Sequence, residues 1–383
     1  PESIEFFSHG TTITTNALLQ MRGAKVGLLI TAGYRAIQEV QNQARDGNPF
    51  DYFYKKPEAI APQSLTCEIP GRIDYQGNEL TPLDELAVRK AARVLRDVNV
   101  DSIAVSFLFS FMNPNHERAA RAILLEEIPD VHVSLSSEVL PRIREWPRLS
   151  TTLLNAYLEP VLVGYIANVA AGLDAAGIYT PQRFLMQSNG GVMPFVAAVT
   201  GGKTVQTLLS GPAAGARASA HLAVNDARDG LVTLDMGGTS CDIAFIEGGQ
   251  PLEVTESVIA RLPLGVPALD LTTISAGGGS IARIDPGGFL VIGPDSAGAD
   301  PGPVCYGLGG SEPTVTDADV VCGVLNPEFL LGGAQQIDAN AAFEAIRGGI
   351  GVPLGLDGYE AAAGIRRIVD MRMADEVRGV AAK

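Results

Sequence analysis

The hydrophobic and polar positions of residues 1–148 alternate between strand-like and helix-like patterns. Nearly continuous apolar runs predict strands at IEFF, KVGLLITAG, SIAVSFLFS and VHVSL, and helical spacing between them predicts helices, including one at residues 114–127. Thr81 and Asp84 have the spacing of a capping box for a helix that ends near Val98. This alternation is typical of an α/β protein with a mixed or parallel sheet covered by helices.

The pattern changes near Arg148. A long helical stretch, STTLLNAYLEPVLVGYIANVAAGLDAAG, is predicted to end at Gly177, and the chain after it is punctuated by glycine. We therefore predict two domains, residues 1–148 and residues 149–383.

Two apolar runs in the second domain, residues 231–236 and 241–246, predict a hairpin whose strands are buried on both faces. With a two-residue turn at Gly238 and Thr239, Asp235 lies opposite Asp242, and their Cβ atoms are roughly 4.5 to 5.5 Å apart. Like charges at that distance are costly unless a cation or hydrogen-bond donors compensate. Mg²⁺ that carries phosphate is one such cation, and glycine lets turn amides approach phosphate oxygens. The alternative is a tight hairpin in which one Asp bonds its own turn backbone.

Two further small-residue elements are SGPAAG (210–215) and AGGGS (276–280). SGPAAG runs into a predicted helix whose first amides are suited to an anion, or whose Ala and Gly residues allow close helix packing. AGGGS is a second phosphate loop or a structural turn. The common nucleotide fingerprints are missing, because the first glycine that a GGKT P-loop requires falls on Ala197 and no G-x-G-x-x-G follows a strand.

Composition narrows the class of partner. A net charge of −15 argues against nucleic acid and anionic membrane surfaces, whose binding depends on Lys and Arg. No run of eighteen apolar residues occurs, so we predict no membrane span. Cys67, Cys241, Cys305 and Cys322 form no C-x-x-C pair, which predicts reduced thiols, mostly in the core, and a cytoplasmic protein without a zinc site.

Residues 41–63 form a long predicted loop rich in aromatic residues and proline. Loops of this length are often functional. We predict that it lines a cleft, with Tyr52, Phe53 and Tyr54 as the contacting side chains; the alternative is a packed surface flap.

The ordered motifs of the chain resemble the hydantoinase A / 5-oxoprolinase family of the actin, sugar-kinase and Hsp70 ATPase superfamily. The resemblance runs nearly end to end through SHGTTITTNALL, SSEVLPRIREW, STTLLNAYLEP, QSNGGVMP, LLSGPAAGA, LDMGGTSCDIA, SAGGGSIA and PTVTDADVVCGVL. It implies an actin-like (ribonuclease H-like) ATPase fold with mixed sheets covered by helices. The chain begins at Pro1 without Met and stops inside a helical stretch that starts near Gly358. Because family members carry a first phosphate hairpin before SHGTT and an adenosine loop later on, the resemblance implies a chain truncated at both ends.

The same resemblance implies the site residues. DMGGTSCD is similar to the second phosphate hairpin of the superfamily, in which an acid organises Mg²⁺ and turn amides hold phosphate. It implies that Asp235 and Asp242 are the catalytic and Mg²⁺-binding acids. The implied ATP-binding residues lie in the hairpin turn, SGPAAG, AGGGS and SHGTT: Gly237, Gly238, Thr239, Ser240, Ser210, Gly211, Gly277, Gly278, Gly279, His9, Thr11 and Thr12. A lone His at a strand end is also a common structural hydrogen-bonder, and that alternative stays open for His9.

The function implied is that of an ATP-dependent hydrolase subunit. It opens a cyclic amide, such as a hydantoin or 5-oxoproline, by phosphorylating the amide oxygen, with ATP and Mg²⁺ as cofactors. An alternative within the family is the ATP-activating subunit of an acetone- or acetophenone-type carboxylase. A non-catalytic ATP switch is a second alternative. The implied partner is a hydantoinase B-like subunit or domain.

Overall fold

The structure is a computed structural model that describes residues 3–41, 50, 52–200, 202–223, 230–274, 276–333 and 335–382. Its strands are β1 Phe7–His9, β2 Val26–Thr31, β3 Thr66–Ile69, β4 Arg72–Ile73, β5 Glu79–Thr81, β6 Ser102–Ser106, β7 His132–Leu135, β8 Arg183–Met186, β9 Val192–Pro194, β10 Gly230–Met236, β11 Cys241–Glu247, β12 Gln250–Pro251, β13 Glu253–Val254, β14 Ser257–Ile259, β15 Leu262–Leu264, β16 Ala268–Leu269, β17 Leu271–Ile274, β18 Ser280–Ile284 and β19 Leu290–Ser296.

The α-helices are α1 Ile13–Leu19, α2 Ile37–Val40, α3 Glu85–Asp97, α4 Asn115–Glu127, α5 Ser136–Val139, α6 Glu145–Ala175, α7 Phe195–Ala198, α8 Ser210–Ala223, α9 Val315–Val321, α10 Ala339–Ile346, α11 Val352–Leu354 and α12 Gly358–Ala381. Short 3₁₀ turns lie at Gln63–Leu65, Thr204–Thr207, Val304–Tyr306 and Leu331–Gly333, and a π-helical segment lies at Arg347–Gly351.

The chain forms two compact units. The first comprises residues 1–214 and 253–269, and the second comprises residues 215–252 and 270–383. These units follow contacts in space, whereas the predicted boundary near residue 148 follows a change in sequence pattern, and that boundary stays a prediction.

The first unit is built on a parallel sheet in the order β3-β2-β6-β7. All residues of β2 and β6 are buried, as their continuous apolar runs predict for strands covered on both faces. Leu28 and Ile30 of β2 pack in one core with Leu149 and Leu153 of α6. A second core joins the other face to α3 and α4. The predicted parallel sheet covered by helices is therefore confirmed.

Helix starts and ends in the first unit differ from the prediction in one detail. The side chain of Asp84, not Thr81, caps α3 by accepting from the Ala87 amide, because Thr81 is taken up in β5. The long helix α6 ends where predicted, with Gly177 in the left-handed region at φ 76°. By length and composition alone α6 could cross a membrane, but its first half is buried in the core of the unit.

In the second unit, β11 is the central strand, with β10 on one side and β12 and β17 on the other. β11 is largely buried, whereas β10 is not, and Leu234 is 55% exposed. The prediction that both strands are buried on both faces is wrong for β10. Among the described residues β10 pairs only with β11, and an apolar run does not by itself distinguish an edge strand from a central one. A core of α9, α10 and α12 residues packs against β18 and β19.

All four cysteines are free thiols, as predicted. Cys241 and Cys305 are buried, Cys67 is half-buried and Cys322 is exposed. Reduced thiols are the usual state in the cytosol, and the cytoplasmic location stays a prediction.

Candidate functional site

The hairpin of β10 and β11 has the register that the sequence predicts. Asp235 is paired directly with Asp242. The amide of Gly237 donates to the carbonyl of Ser240 at 2.8 Å, so only Gly238 and Thr239 form the turn. The two carboxylates therefore project from the same face of the sheet, and two residue pairs, Met236–Cys241 and Gly237–Ser240, separate them from the turn.

The two carboxylates have different environments. Asp242 is half-buried, and its Oδ1 accepts a 2.5 Å hydrogen bond from Oγ1 of Thr273, its neighbour on β17. Burial raises the pKa of Asp242, the charge of Asp235 raises it further, and the Thr273 hydroxyl opposes both. Asp235 is exposed. Neither carboxylate bonds to the backbone of the turn within the described chain, so the alternative in which an Asp serves only its own turn is not realised.

Asp242→Asn is expected to stabilise the protein at neutral pH. Because the folded-state pKa of Asp242 is raised, its protonation contributes stability that is present below the unfolded pKa, near 3.8, and is lost as the pH rises through the folded pKa. Asn is uncharged and keeps the oxygen that accepts from Thr273. The gain in free energy of unfolding over wild type, measured by urea denaturation, should be larger at about pH 7 than at about pH 4. An equal difference at both pH values would contradict this account.

The AGGGS segment braces the hairpin turn from within the second unit. The amide of Gly278 donates to the carbonyl of Gly237 at 2.9 Å, and the amide of Gly279 donates to the carbonyl of Gly238 at 2.6 Å. The amide of Gly277 donates to the Ser280 hydroxyl. All three amides are thus engaged inside the protein, which favours the structural-turn interpretation; the nucleotide contact of these glycines stays a prediction.

The contact between the two turns leaves no room for side chains. A Cβ on Gly277 would lie 2.6 Å from backbone atoms of Gly238 and Thr239. A Cβ on Gly278 would lie 2.7 Å from Oγ1 of Thr316, and one on Gly279 would lie 2.8 Å from the carbonyl oxygen of Gly238. Glycine is needed here because two backbones meet directly.

Residues at the start of α9 support the contact between the AGGGS segment and the hairpin turn. They are not among the predicted site residues. Thr316 donates to the carbonyl of Gly278 through both its amide, at 2.7 Å, and its hydroxyl, at 2.8 Å. The fully buried carboxylate of Asp317 completes a capping box with Thr314 and accepts from the amides of Val304 and Cys305. The T-x-x-D spacing before an apolar run is the sequence signal for this cap. Burial and the nearby Asp317 raise the pKa of the Cys305 thiol.

The predicted site residues of the first unit also come together. The hydroxyl of Ser210, at the start of α8, donates to the carbonyl of Thr11 at 2.9 Å, and the Leu209 amide donates to the Thr15 hydroxyl. A Cβ on Gly211 would contact the methyl group of Thr12 at 3.4 Å. SHGTT and SGPAAG therefore form one packed element, and their contact with ATP stays a prediction.

His9 ends β1 and makes a 2.6 Å hydrogen bond with the Tyr165 hydroxyl of α6. The two rings are also stacked, with centroids 5.8 Å apart. Burial lowers the pKa of His9. These contacts favour the structural role that the sequence left open.

The predicted aromatic loop is described only in part, because residues 42–49 and 51 lie outside the described ranges. Tyr52 and Phe53 are more than nine-tenths exposed. The Arg261 guanidinium lies over the Tyr54 ring, 4.9 Å from its centroid. The later part of the loop, Lys56 to Ile60, lines a cavity together with α6.

The carboxylates of Asp235 and Asp242 are of the ligand type that Mg²⁺ prefers. Within the described ranges no group of three or more His, Cys, Asp or Glu side chains is arranged to hold a metal ion. Mg²⁺ is usually held through one or two carboxylates, with waters and phosphate oxygens as the other ligands. Two opposed carboxylates, one with a raised pKa in part because of the other, fit an ion that arrives with a nucleotide.

Solved structures define the class of protein to which this fold belongs. The nucleotide-free structure of acetone carboxylase matches 99% of this chain and 54% of its own, with a TM-score of 0.85 and 28% identity. ATP-dependent caprolactamase from Pseudomonas jessenii matches 99% of this chain and 55% of its own, with a TM-score of 0.79 and 41% identity. The chain has the actin-like ATPase fold that these enzymes share.

The chain belongs to the hydantoinase/oxoprolinase family. Residues 148–383 match the Hydantoinase/oxoprolinase family, and residues 1–128 match the Hydantoinase/oxoprolinase N-terminal region. Caprolactamase subunit alpha of Pseudomonas jessenii is 43% identical over 373 residues, which is 97% of this chain and 53% of that protein. The chain thus spans about half the length of the curated relatives it matches.

Proposed function

We propose that this chain is the ATP-using part of a hydrolase that opens a cyclic amide by phosphorylating the amide oxygen. The observation that carries the proposal is the opposed pair of Asp235 and Asp242, set beside a turn that Gly277, Gly278 and Gly279 hold by backbone contacts. The identity with caprolactamase subunit alpha, a relative named for a cyclic amide, supports the same chemistry.

The chemistry requires ATP because an unstrained amide is a poor electrophile. Transfer of the γ-phosphoryl group to the amide oxygen releases ADP and gives an O-phosphorylated imidate, a better electrophile than the amide. Water adds to its carbon, and the ring C–N bond then breaks with the nitrogen leaving as the amine. The acyl phosphate that remains reacts with a second water to give the carboxylate and phosphate. Catalysis of phosphoryl transfer is mostly positioning and charge stabilisation. When bound at Asp235 and Asp242, Mg²⁺ would neutralise charge on the phosphoryl oxygens.

The residues of this chain have distinct parts in the proposal. Asp235 is exposed near the turn end of β10. In this proposal it faces the nucleotide and positions the Mg²⁺ ion and the phosphates. The Asp242 carboxylate accepts a hydrogen bond from the Thr273 hydroxyl and provides the second negative charge of the proposed Mg²⁺ site. In this proposal the amides of Gly238, Thr239 and Ser240 donate to the bound phosphate, and support comes from the AGGGS segment, which engages carbonyls of the turn at Gly237 and Gly238.

A second candidate is the ATP-activating subunit of a carboxylase, which phosphorylates an enolate or bicarbonate. The high structural similarity to acetone carboxylase supports it. Both reactions use the same ATP site, so the hairpin favours neither. We propose for either reaction that the enzyme works in the cytoplasm with a hydantoinase B-like partner, in line with the subunit named in caprolactamase.

The test is ATP hydrolysis by the full-length protein with its partner and Mg²⁺, in the presence of hydantoin, 5-oxoproline, caprolactam, or a ketone with bicarbonate. Stimulation by a cyclic amide, with ring-opened product in proportion to ADP, is the expected result. Stimulation only by the ketone mixture would assign the protein to the carboxylases. Slow ATP hydrolysis that no substrate accelerates would contradict both readings and favour an ATP switch.

A further inference from the structure

A small cavity in the first unit has no part in the chemistry described so far. Its volume is about 150 Å³, and it is lined by α2, by the end of the aromatic loop, by α6 and by β15. The lining residues that matter for its chemistry are Glu39, Lys56, Ile60, Trp146, Leu153 and Leu262.

The wall of the cavity is apolar and firmly built. Trp146, Leu153 and Leu262 are each less than a tenth exposed and belong to the main core of the unit. A cavity of about 150 Å³ lined by such side chains is large enough to bind a six-membered ring such as benzene. The cavity therefore has the size of a single small ring.

Three polar groups on the wall are engaged within the protein, whereas one buried carboxylate oxygen is not. The amide nitrogen of Gln38 donates to the Ala61 carbonyl at 2.5 Å, and the Ser150 hydroxyl donates to the Pro263 carbonyl at 2.8 Å. The Lys56 ammonium donates to the backbone carbonyl of Glu39. The Oε2 atom of Glu39 is buried and accepts from no donor of the described chain.

A buried acceptor without a donor in the protein is costly, so Glu39 indicates the chemistry of a ligand that would fit the cavity. The occupant must supply a hydrogen-bond donor at one edge and apolar surface over the rest. A ring amide has this composition, because its N–H lies beside several ring carbons. An anionic ring is disfavoured, because the charged side chains that line the cavity are Glu39, Glu58 and Lys56, with two acids for one base.

We propose that this cavity binds the ring of an uncharged cyclic amide, a lactam or a hydantoin, with the ring N–H donating to Oε2 of Glu39. This assignment rests on the proposed hydrolase function and narrows its substrate class. The ring packs against Trp146 and Leu153, and the loop segment from Lys56 to Ile60 closes the cavity beside it. A ring that carries a carboxylate, as 5-oxoproline does, binds more weakly.

The first test uses Glu39→Ala in the full-length protein with its partner. Removing an acceptor that has no donor in the protein should leave stability unchanged or raised, so the variant is expected to fold. The KM for caprolactam or hydantoin in stimulated ATP hydrolysis should rise about tenfold or more, and the KM for ATP should stay the same. Glu312→Ala is the matched control, since Glu312 is exposed and does not line the cavity, and it should keep both KM values.

The second test uses Ala59→Trp, which adds bulk at an exposed lining position without changing the core. Calorimetry without ATP should detect caprolactam and hydantoin binding to wild type, weaker 5-oxoproline binding, and no lactam binding to Ala59→Trp. If lactams stimulate ATP turnover but both variants keep the wild-type KM and binding, the cavity assignment is wrong and the hydrolase function stands. If no cyclic amide stimulates turnover, the proposed function fails, and absence of binding by wild type then overturns the cavity assignment on its own.

Discussion

Asp235→Asn is expected to lower ATP turnover by at least about 100-fold while leaving the fold intact. Asp235 is exposed at the end of an edge strand, so replacement by the isosteric amide removes a charge without making a cavity. The same replacement removes one of the two carboxylates that would hold Mg²⁺ against phosphate. The measurement is kcat at saturating ATP and Mg²⁺, with circular dichroism and a urea titration to verify the fold.

The control for this variant lies on the same hairpin. Glu247→Gln removes an exposed carboxylate at the far end of β11, paired with Gly230, and should keep wild-type turnover. The proposal has Asp235 and Asp242 hold one Mg²⁺ together, so the double variant with Asn at both positions should lose little more activity than Asp235→Asn alone. Wild-type turnover in Asp235→Asn would remove this residue from the site, and additive losses would mean that the two acids act separately.

The parallel sheet of the first unit was predictable because its strands are apolar without interruption. β2 and β6 need both faces covered, and flanking helices contribute apolar side chains on each face. The opposition of Asp235 and Asp242 was predictable for a related reason. A turn of two residues fixes the register of every later pair, so local spacing determined a contact between residues seven positions apart.

Contacts between distant segments were not predictable in the same way. The run that forms β10 reads as a central strand, but its exposure depends on which strands lie beside it. The sequence AGGGS is compatible with a phosphate-binding loop or with a structural turn. Only the fold shows that its amides donate hydrogen bonds to carbonyls of the hairpin turn. The T-x-x-D spacing accounts for the two hydrogen bonds that Asp317 accepts from Thr314, but not for the two from the amides of Val304 and Cys305, which belong to a different segment.

The aromatic loop shows the same limit. Its length and composition indicated a functional segment, and Tyr52, Phe53 and Tyr54 were the natural choice of contacting residues. The cleft contact of these three aromatic residues stays a prediction. The part of the loop that packs against α6 begins at Ile60, and the segment from Lys56 to Ile60 lines the cavity there, which side-chain type alone did not indicate.

Gly277→Ala is expected to disrupt the proposed site indirectly, by displacing the hairpin turn against which Gly277 packs. Its Cβ would lie 2.6 Å from backbone atoms of Gly238 and Thr239, and backbone atoms cannot rotate away as a side chain can. Overpacking of this kind costs about 1 to 3 kcal/mol. A shift of about 1 Å in positioning groups can cost about 100-fold in rate, so ATP turnover should fall to that extent although Gly277 donates only to Ser280.

A matched glycine separates this effect from a general response to alanine. Gly379 lies in α12 of the same unit, and a Cβ there would meet nothing within 4 Å. Gly379→Ala should raise the free energy of unfolding by about 0.5 to 1 kcal/mol and leave turnover unchanged, because alanine is the better helix former. If Gly277→Ala also kept full turnover and stability, the turn would be held by the hairpin alone. Loss of turnover in Gly277→Ala alone would instead show that ATP turnover depends on the close packing of the second glycine turn against the hairpin.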